Sequence, residues 1–258
     1  MSPGRSASLG ATWFTGAVTD TADAEKTAAP VRWGEIQGRE ITFPMEVPDF
    51  DAATFTFGVP AAAAAALLPG DAFEVVEADG VATLVVALCD YQDNPWGDYL
   101  EINLGFLARP TGAPADVVGS FVYRMPVDQA FTCEAGNRVM GFPKTVEELS
   151  VATADGRVTF AMHDAGELVL SVSFPDVAPL GEPGTIETGS YSYLDGVPHE
   201  TPLVMQLGTG LVDPSEVVVE LGTGPVADEL RSLGLPKAPD FGTWGRGLAA
   251  TFQLGHPI

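Results

Sequence analysis

Residues 99–108 read YLEINLGFLA, and their apolar side chains recur at every second position. One face of this stretch carries four large apolar side chains, those of Leu100, Ile102, Leu104 and Phe106. A period of two is that of a β-strand with one face in the core, because successive side chains point to opposite faces. The stretch therefore predicts a strand, and it places the carboxylate of Glu101 on the face opposite to the aliphatic one.

Other stretches with apolar alternation between turn residues predict further strands. They lie at 83–89, 120–125, 157–163, 167–174, 203–207, 216–221 and 248–254. Three stretches predict helices: residues 59–68, where Pro60 precedes six alanines and Pro69-Gly70 follows, residues 128–136, and residues 225–231. Since strands outnumber helices, we expect an α+β fold, a mainly antiparallel and barrel-like sheet with a few short helices.

The domain organisation follows from where core residues begin. The first thirty residues are rich in Ala, Thr, Ser, Gly and Asp, and core residues start at Val31. We therefore predict a loosely ordered lead-in over residues 1–30. No break in composition follows it, so residues 31–258 are expected to form a single domain.

The charge balance excludes several classes of partner. The chain has 12 Lys and Arg against 35 Asp and Glu, a formal net charge of −23, and no run of basic residues. Nucleic acids and anionic membranes are bound by clustered Lys and Arg, so we expect neither as a partner. A transmembrane helix and a signal peptide are not predicted either, because no continuous apolar run has the required length. Cys89 and Cys133 form no CxxC pair, which is typical of a reduced, cytoplasmic protein.

Two weaker patterns bear on cofactors. Residues 222–224 read GTG after a predicted strand and before a predicted helix, as in dinucleotide-binding folds. Too little chain follows for the parallel strands of such a fold, so we predict a simple turn there. The three histidines lie at scattered positions without ligand spacing. We therefore expect neither a metal ion nor another cofactor.

The stretch most informative about chemistry is 127–149, which reads VDQAFTCEAGNRVMGFPKTVEEL. In it Lys144 follows Gly141, Phe142 and Pro143, a sequence that fixes a tight and partly apolar turn. Desolvation disfavours the charged form of a lysine and leaves a free amine that can attack a ketone. An exposed turn lysine on an acidic protein is the alternative, and chemistry alone favours neither.

The motif G-x-x-x-x-G-x-P-K at 136–144 resembles the Schiff-base lysine region of the acetoacetate decarboxylase family. The lysine of that family is a general example of an amine activated by desolvation or by a nearby cation. Weaker similarities extend over residues 30–255. They lie at Gly38-Arg39-Glu40, Ala65 to Pro69, Tyr99-Leu100-Glu101, Gly222 to Gly224 and Trp244 to Gly255. The resemblance implies the cone-like or barrel-like sheet of that family, a homo-oligomer, and a small keto acid as the substrate.

Site roles follow from the same resemblance, position by position. Lys144 is the expected imine-forming nucleophile, Arg39 an active-site cation, and Glu101 the carboxylate near it. The expected substrate-binding residues in the motif are Phe142, Met140 and Arg138. For Arg39 and Glu101, an ordinary ion pair inside a barrel is the alternative.

Three positions depart from the family pattern. Thr145 stands where the decarboxylase has a second lysine, residues 84–86 are apolar where a second carboxylate is expected, and Asn137-Arg138 replaces Arg-Glu. We therefore carry three hypotheses. The leading one is a carbon–carbon lyase that decarboxylates a β-keto acid such as acetoacetate. The others are an aldolase-dehydratase acting on α-keto acids such as pyruvate, and a non-catalytic binding protein in which Lys144 pairs with a carboxylate.

Overall fold

The computed structural model describes residues 30–258. The predicted lead-in lies outside the described residues except for Pro30, and the single-domain organisation stays a prediction. Strands predominate in the described part, as the sequence predicts. No helix in this part is long and apolar enough to cross a membrane.

The elements between residues 30 and 258 are numbered in chain order. The strands are β1 (Val31–Ile36), β2 (Arg39–Phe43), β3 (Met45–Pro60), β4 (Phe73–Val75), β5 (Glu77–Ala78), β6 (Val81–Asp93), β7 (Tyr99–Pro110), β8 (Gly119–Val127), β9 (Lys144–Val146), β10 (Glu148–Ala154), β11 (Arg157–Asp164), β12 (Glu167–Pro175), β13 (Gly184–Leu194), β14 (Val197–Leu207), β15 (Gly210–Leu211), β16 (Val218–Leu221), β17 (Phe241–Phe252) and β18 (His256–Pro257). The helices are α1 (Ala61–Ala65), α2 (Ala130–Ala135) and α3 (Pro225–Ser232), with a π-helical turn at Gly136–Met140 and a 3-10 turn at Pro214–Glu216.

Within the described residues, seven strands close into a barrel. Their order is β17-β3-β6-β7-β8-β13-β14, and β14 pairs again with β17. The pairs are antiparallel except β8 with β13, which is parallel. Closure leaves the central strands without free edges. The predicted fold class, mainly antiparallel sheet with a few short helices, is confirmed.

Two cores lie on opposite faces of the barrel strands. The first core lies between the barrel and a four-stranded antiparallel sheet of order β10-β11-β12-β16. The second core packs the β1-β2 hairpin, α2 and the π-helical turn against the other face. The side chains of Leu100, Ile102, Leu104 and Phe106 lie in the first core, whereas Tyr99 lies in the second. The alternation predicted for residues 99–108 is therefore confirmed.

Several strands, among them β3 and β13, lie where the sequence predicts none. Pro48, Asp49 and Asp51 interrupt the apolar pattern of β3. In β13, Ser190 and Ser192 are buried at positions where an apolar pattern needs larger side chains. In both strands, cross-strand pairing along the whole length outweighs a weak local signal.

The helices are shorter than predicted, except the last. The chain tightens after α1, because the amides of Leu67 and Leu68 donate to the carbonyls three residues before them. The helix predicted at 128–136 is α2 followed by the π-helical turn. Residues 222–224 form a turn that follows β16 in an antiparallel sheet, which agrees with the predicted simple turn.

Candidate active site

The tight turn that precedes Lys144 is docked against β13. Gly141 has a φ of 67°, and a Cβ at this position would lie 2.5 Å from the carbonyl oxygen of Tyr193. Only glycine fits both the left-handed backbone and this close approach. Ser192 fixes the same turn by donating a hydrogen bond of 2.6 Å to the carbonyl of Met140. Lys144 then begins β9, which pairs in parallel with β8 at Met125.

The backbone of Lys144 is held by the π-helical turn. The side chain of Asn137 accepts a hydrogen bond from the Lys144 amide (2.8 Å) and donates one to the Lys144 carbonyl (3.0 Å). The thiol of Cys133 donates a second hydrogen bond to that carbonyl (3.3 Å). The side chain of Asn137 thus bonds both backbone polar groups of Lys144, as a paired strand would. These hydrogen bonds fix the point at which the lysine side chain leaves the backbone.

The aliphatic stem of Lys144 passes directly over Gly136. A Cβ at Gly136 would lie 2.7 Å from Cδ and 2.8 Å from Cε of the lysine. The first glycine of the motif therefore provides the space for the lysine side chain.

The ammonium of Lys144 is paired and buried. Its Nζ lies 2.6 Å from Oε2 of Glu101, and the side chains are only 3% and 5% exposed. Nζ also donates a hydrogen bond of 3.0 Å to Oγ1 of Thr132, which is fully buried in α2. The alternative of an exposed turn lysine is therefore wrong.

The other oxygen of Glu101 fixes the orientation of the carboxylate. Oε1 accepts hydrogen bonds from Nδ2 of Asn103 (3.0 Å) and from the hydroxyl of Tyr91 (3.4 Å). Burial, and next the charge of Glu101, raise the pKa of Tyr91 well above the ordinary value of a phenol. Tyr91 therefore stays protonated and donates to the carboxylate, which leaves Oε2 directed at Lys144.

Aromatic side chains cover the ion pair. Nζ of Lys144 lies 4.9 Å from the ring centre of Tyr99 and 5.9 Å from that of Trp96. Burial, followed by the charge of Glu101, raises the pKa of Tyr99 well above its ordinary value, so this ring also stays neutral. The loop that carries Trp96 is tied to α2, because Gln129 donates to the carbonyls of Trp96 (3.0 Å) and Asp98 (3.2 Å).

The nearby thiols are poor competitors for the role of nucleophile. Burial is the main cause that raises the pKa of Cys89, and the charge of Glu101 adds to it. Burial also raises the pKa of Cys133. Since the thiolate is the reactive form, both cysteines are held in the unreactive form. The amine of Lys144 is the more suitable nucleophile of this cluster.

The remaining predicted site residues are either exposed or buried in the second core. Arg39 is exposed at the start of β2, and its guanidinium stacks 4.6 Å above the ring of Phe131. Within the described residues it forms no ion pair with Glu101, whose cation is Lys144. Arg138 is exposed and pairs with Glu134 at 2.8 Å. The other two, Met140 and Phe142, are buried in the second core on either side of the docked turn.

The position expected for a second carboxylate needs correction. Of the residues at 84–86, Leu84 and Val86 lie in the first core, on the face away from Glu101, whereas the apolar Val85 lies on the face of Glu101. The β6 residues that pair with Glu101 and Asn103 are Cys89 and Ala87. The surface of β6 that faces the ion pair is therefore uncharged. No cluster of His, Cys, Asp or Glu suited to a metal ion occurs in residues 30–258.

Four residues that line the site were not predicted from the sequence. They are Tyr91, Trp96, Asn103 and Thr132. A signal was present for Asn103, which shares a strand face with Glu101 two positions earlier. Thr132 lies on a helix whose facing direction depends on how α2 docks, and Trp96 lies on a loop. Neither of these contacts follows from local sequence.

Gly136→Ala is expected to disturb the lysine but not the fold. Gly136 has helical angles (φ −59°, ψ −43°), which alanine adopts readily. The added Cβ displaces the flexible lysine stem and moves Nζ away from Glu101. We expect Lys144 to react at least about 10-fold more slowly with formaldehyde in reductive methylation, since misplacement by about 1 Å is costly. Peptide mass spectrometry gives the rate.

Gly34→Ala is the matched control, because nothing lies within 4 Å of a Cβ at that position. An unchanged methylation rate of Lys144 in Gly136→Ala would show that the close approach does not place the lysine.

Comparisons with known proteins agree with this fold. The sequence model of the acetoacetate decarboxylase family matches residues 29–241. No curated protein is similar enough in sequence to match the chain. Among solved structures, an acetoacetate decarboxylase is similar with a TM-score of 0.60 at 13% identity, covering 83% of this chain and 89% of that one.

Two further structures show the same architecture. Acetoacetate decarboxylase from Legionella pneumophila has a TM-score of 0.61 at 15% identity, covering 88% of this chain and 93% of that one. The enduracididine biosynthesis enzyme MppR, complexed with pyruvate, has a TM-score of 0.61 at 17% identity, covering 89% and 98%. At these identities the structural similarity shows a shared fold. Because the family model spans most of the chain, this protein belongs to the acetoacetate decarboxylase family.

Proposed function

We propose that this protein is a lyase that forms an imine between Lys144 and a small keto acid, and that it decarboxylates a β-keto acid. The observation that carries the proposal is the buried ion pair between Lys144 and Glu101, 2.6 Å apart. A buried pair of this kind is a costly way to stabilise a fold. It is a suitable arrangement for an amine that must pass a proton to a neighbouring base before it attacks.

Imine formation uses both partners of the pair. Lys144 transfers a proton from Nζ to Oε2 of Glu101, and the neutral amine attacks the keto carbon of the substrate. The addition gives a carbinolamine, whose oxygen takes up the proton from Glu101 and leaves as water. The product is a protonated imine whose positive charge replaces that of the original ammonium, and Glu101 is again an anion beside it.

The protonated imine then accepts the electron pair of the breaking bond. The bond between the α-carbon and the carboxylate breaks, CO2 leaves, and the electrons move to the imine nitrogen to give a neutral enamine. A proton that reaches the α-carbon through Glu101 converts the enamine back into a protonated imine. Water hydrolyses this imine to the ketone and regenerates Lys144. One proton from solvent is consumed in each turnover.

The electrostatics of the site favour loss of a carboxylate. Lys144 is the sole buried Lys or Arg side chain among residues 30–258. A substrate carboxylate inside this aromatic cover therefore has no second cation to stabilise it, and departure as neutral CO2 relieves its desolvation.

Arg39 is an exposed cation that lies above Phe131, and the ring of Phe131 contacts Trp96 edge-on. We propose that Arg39 attracts the anionic substrate to the entrance, because the net charge of −23 repels it elsewhere.

Aldol condensation with dehydration is the second candidate function. It is supported by the uncharged residues Cys89 and Ala87 beside the pair and by Thr145, which leaves the site without a second lysine. The same protonated imine, formed from an α-keto acid, loses a proton from carbon instead of CO2. The resulting enamine attacks an aldehyde, and the adduct loses water to give a conjugated product. A non-catalytic role is the third possibility, in which Lys144 serves as a charge partner alone.

One panel of substrates separates these functions. The protein is incubated with acetoacetate, with longer β-keto acids, and with pyruvate in the presence and absence of an aldehyde. We expect CO2 from a β-keto acid, measured by a coupled assay. Absorbance of a conjugated enone from pyruvate and an aldehyde, without CO2 from any β-keto acid, would support the aldolase-dehydratase. No product from any mixture would support the binding protein.

The cytoplasmic location and the homo-oligomer belong to the same proposal. Sedimentation equilibrium of the full chain tests the assembly, and a mass of one chain at micromolar concentration would contradict it.

A further inference from the structure

A buried threonine contacts the reacting nitrogen, and its hydroxyl also interacts with the phenol of Tyr99. Thr132 is fully buried in α2 between Phe131 and Cys133, at a position where alanine would form the helix better. Burying a hydroxyl is unfavourable unless it is hydrogen-bonded. Its oxygen accepts a hydrogen bond of 3.0 Å from Nζ of Lys144. Thr132 thus accepts a hydrogen bond from the ammonium, whose ion-pair partner is Glu101.

The first turn of α2 is fixed so that this hydroxyl is aimed at the lysine. Gln129 precedes the helix in an extended conformation (φ −126°, ψ 125°), and its side-chain oxygen accepts a hydrogen bond of 2.9 Å from the Thr132 amide. The side-chain nitrogen of Gln129 donates a hydrogen bond to the carbonyl of Trp96. The backbone of Thr132 is therefore held independently of its hydroxyl, whose oxygen accepts from Nζ and which also interacts with Tyr99.

We propose that Thr132 is a catalytic residue that keeps one N–H of Lys144 hydrogen-bonded while Glu101 takes up the proton, an inference that rests on the proposed function. The charged lysine has three N–H groups, of which one is donated to Thr132, while Nζ forms the ion pair with Glu101. Proton transfer to Glu101 weakens the ion pair and frees rotation about the Cε–Nζ bond. The hydrogen bond to Thr132 limits this rotation, and the lone pair stays directed away from α2 toward the substrate.

Thr132→Val tests the proposal, because valine keeps the branched shape and removes the oxygen. We expect the imine of Lys144 to form about 10- to 100-fold more slowly, as for loss of a hydrogen bond to a charged group. Thr132→Ser restores the oxygen and is expected to stay within about 3-fold of the unchanged protein. The matched control is Thr201→Val, since Thr201 is also fully buried but its hydroxyl has no hydrogen-bond partner among the described residues.

Two probes report the imine rate by mass spectrometry. One is trapping by borohydride with acetoacetate or pyruvate, and the other is reductive methylation by formaldehyde, read at Lys144 relative to the exposed Lys237 of the same chain. Formaldehyde forms an imine with any accessible amine. If the wild-type chain traps no keto acid but Thr132→Val still slows methylation of Lys144, the proposed function fails and the role of Thr132 stands.

The proposal is overturned by an unchanged or faster methylation of Lys144 in Thr132→Val. It is overturned equally if Thr132→Ser is as slow as Thr132→Val, or if Thr201→Val slows the reaction to the same extent. Thermal unfolding of each variant is measured first, so that a general loss of folding is recognised as such.

Discussion

Lys144→Met lowers kcat/KM for the best keto acid substrate by at least about 10³-fold if the chemistry proceeds through an imine. Methionine keeps a similar stem length and an apolar character but has no amine. Without the amine, the electron pair of the breaking bond has no acceptor in the site. The measurement is the initial rate of CO2 release by protein whose circular dichroism matches that of the unchanged chain.

Lys237→Met is the matched control for this loss. Lys237 is exposed and donates a hydrogen bond to the carbonyl of Gly58 at the surface. Its removal is expected to leave the rate of CO2 release unchanged. If Lys144→Met kept more than about a tenth of the activity, covalent catalysis by this lysine would be excluded.

The second large expected effect is a loss of stability when either partner of the ion pair between Lys144 and Glu101 is removed. Glu101→Gln and Lys144→Met are each expected to lower the free energy of unfolding by about 3–5 kcal/mol, because either change leaves a buried charge without its partner. Glu101→Gln is expected to be the more costly change. After Lys144→Met, Asn103 and Tyr91 still donate hydrogen bonds to Glu101, whereas the lysine keeps only Thr132. Denaturant unfolding provides the free energies.

The double variant Lys144→Met with Glu101→Gln completes the cycle. It carries neither buried charge, so its loss of stability is expected to be smaller than the sum of the two single losses by more than about 1 kcal/mol. The surface pair of Arg109 and Glu74 serves as the control, with side chains 24% and 39% exposed. Its single variants are expected to cost at most about 1 kcal/mol. Additive losses at Lys144 and Glu101 would mean that the two groups are not coupled.

The sequence predicted the parts of the fold that have a strong local period. Residues 99–108 alternate cleanly, and β7 forms there with Glu101 on the predicted face. The helix at 225–231 has proline in its first turn, and α3 forms there. The strand β13 was not predictable in this way, because its buried serines interrupt the pattern and its stability comes from pairing with β14 and β8.

The site was predictable only in part, for a similar reason. The segment 136–144 identified Lys144, since glycine and proline leave few backbone conformations there. That Lys144 and Glu101 belong to one site followed only from resemblance to a family, because the two residues meet through the pairing of β7, β8 and β9. The same resemblance favoured Arg39 near Glu101, whereas the hairpin that carries Arg39 places it over Phe131. Distances between elements depend on docking, which no local pattern encodes.

Borohydride trapping shows whether Lys144 forms an imine with a keto acid. The full chain is mixed with acetoacetate, other β-keto acids or pyruvate, reduced with sodium borohydride, digested and analysed by peptide mass spectrometry. The account predicts a reduced adduct on the peptide that contains Lys144, no adduct on the peptides of Lys26 or Lys237, and none at all in Lys144→Arg. Absence of an adduct at Lys144 with every keto acid, or an adduct of equal yield in Lys144→Arg, would contradict it.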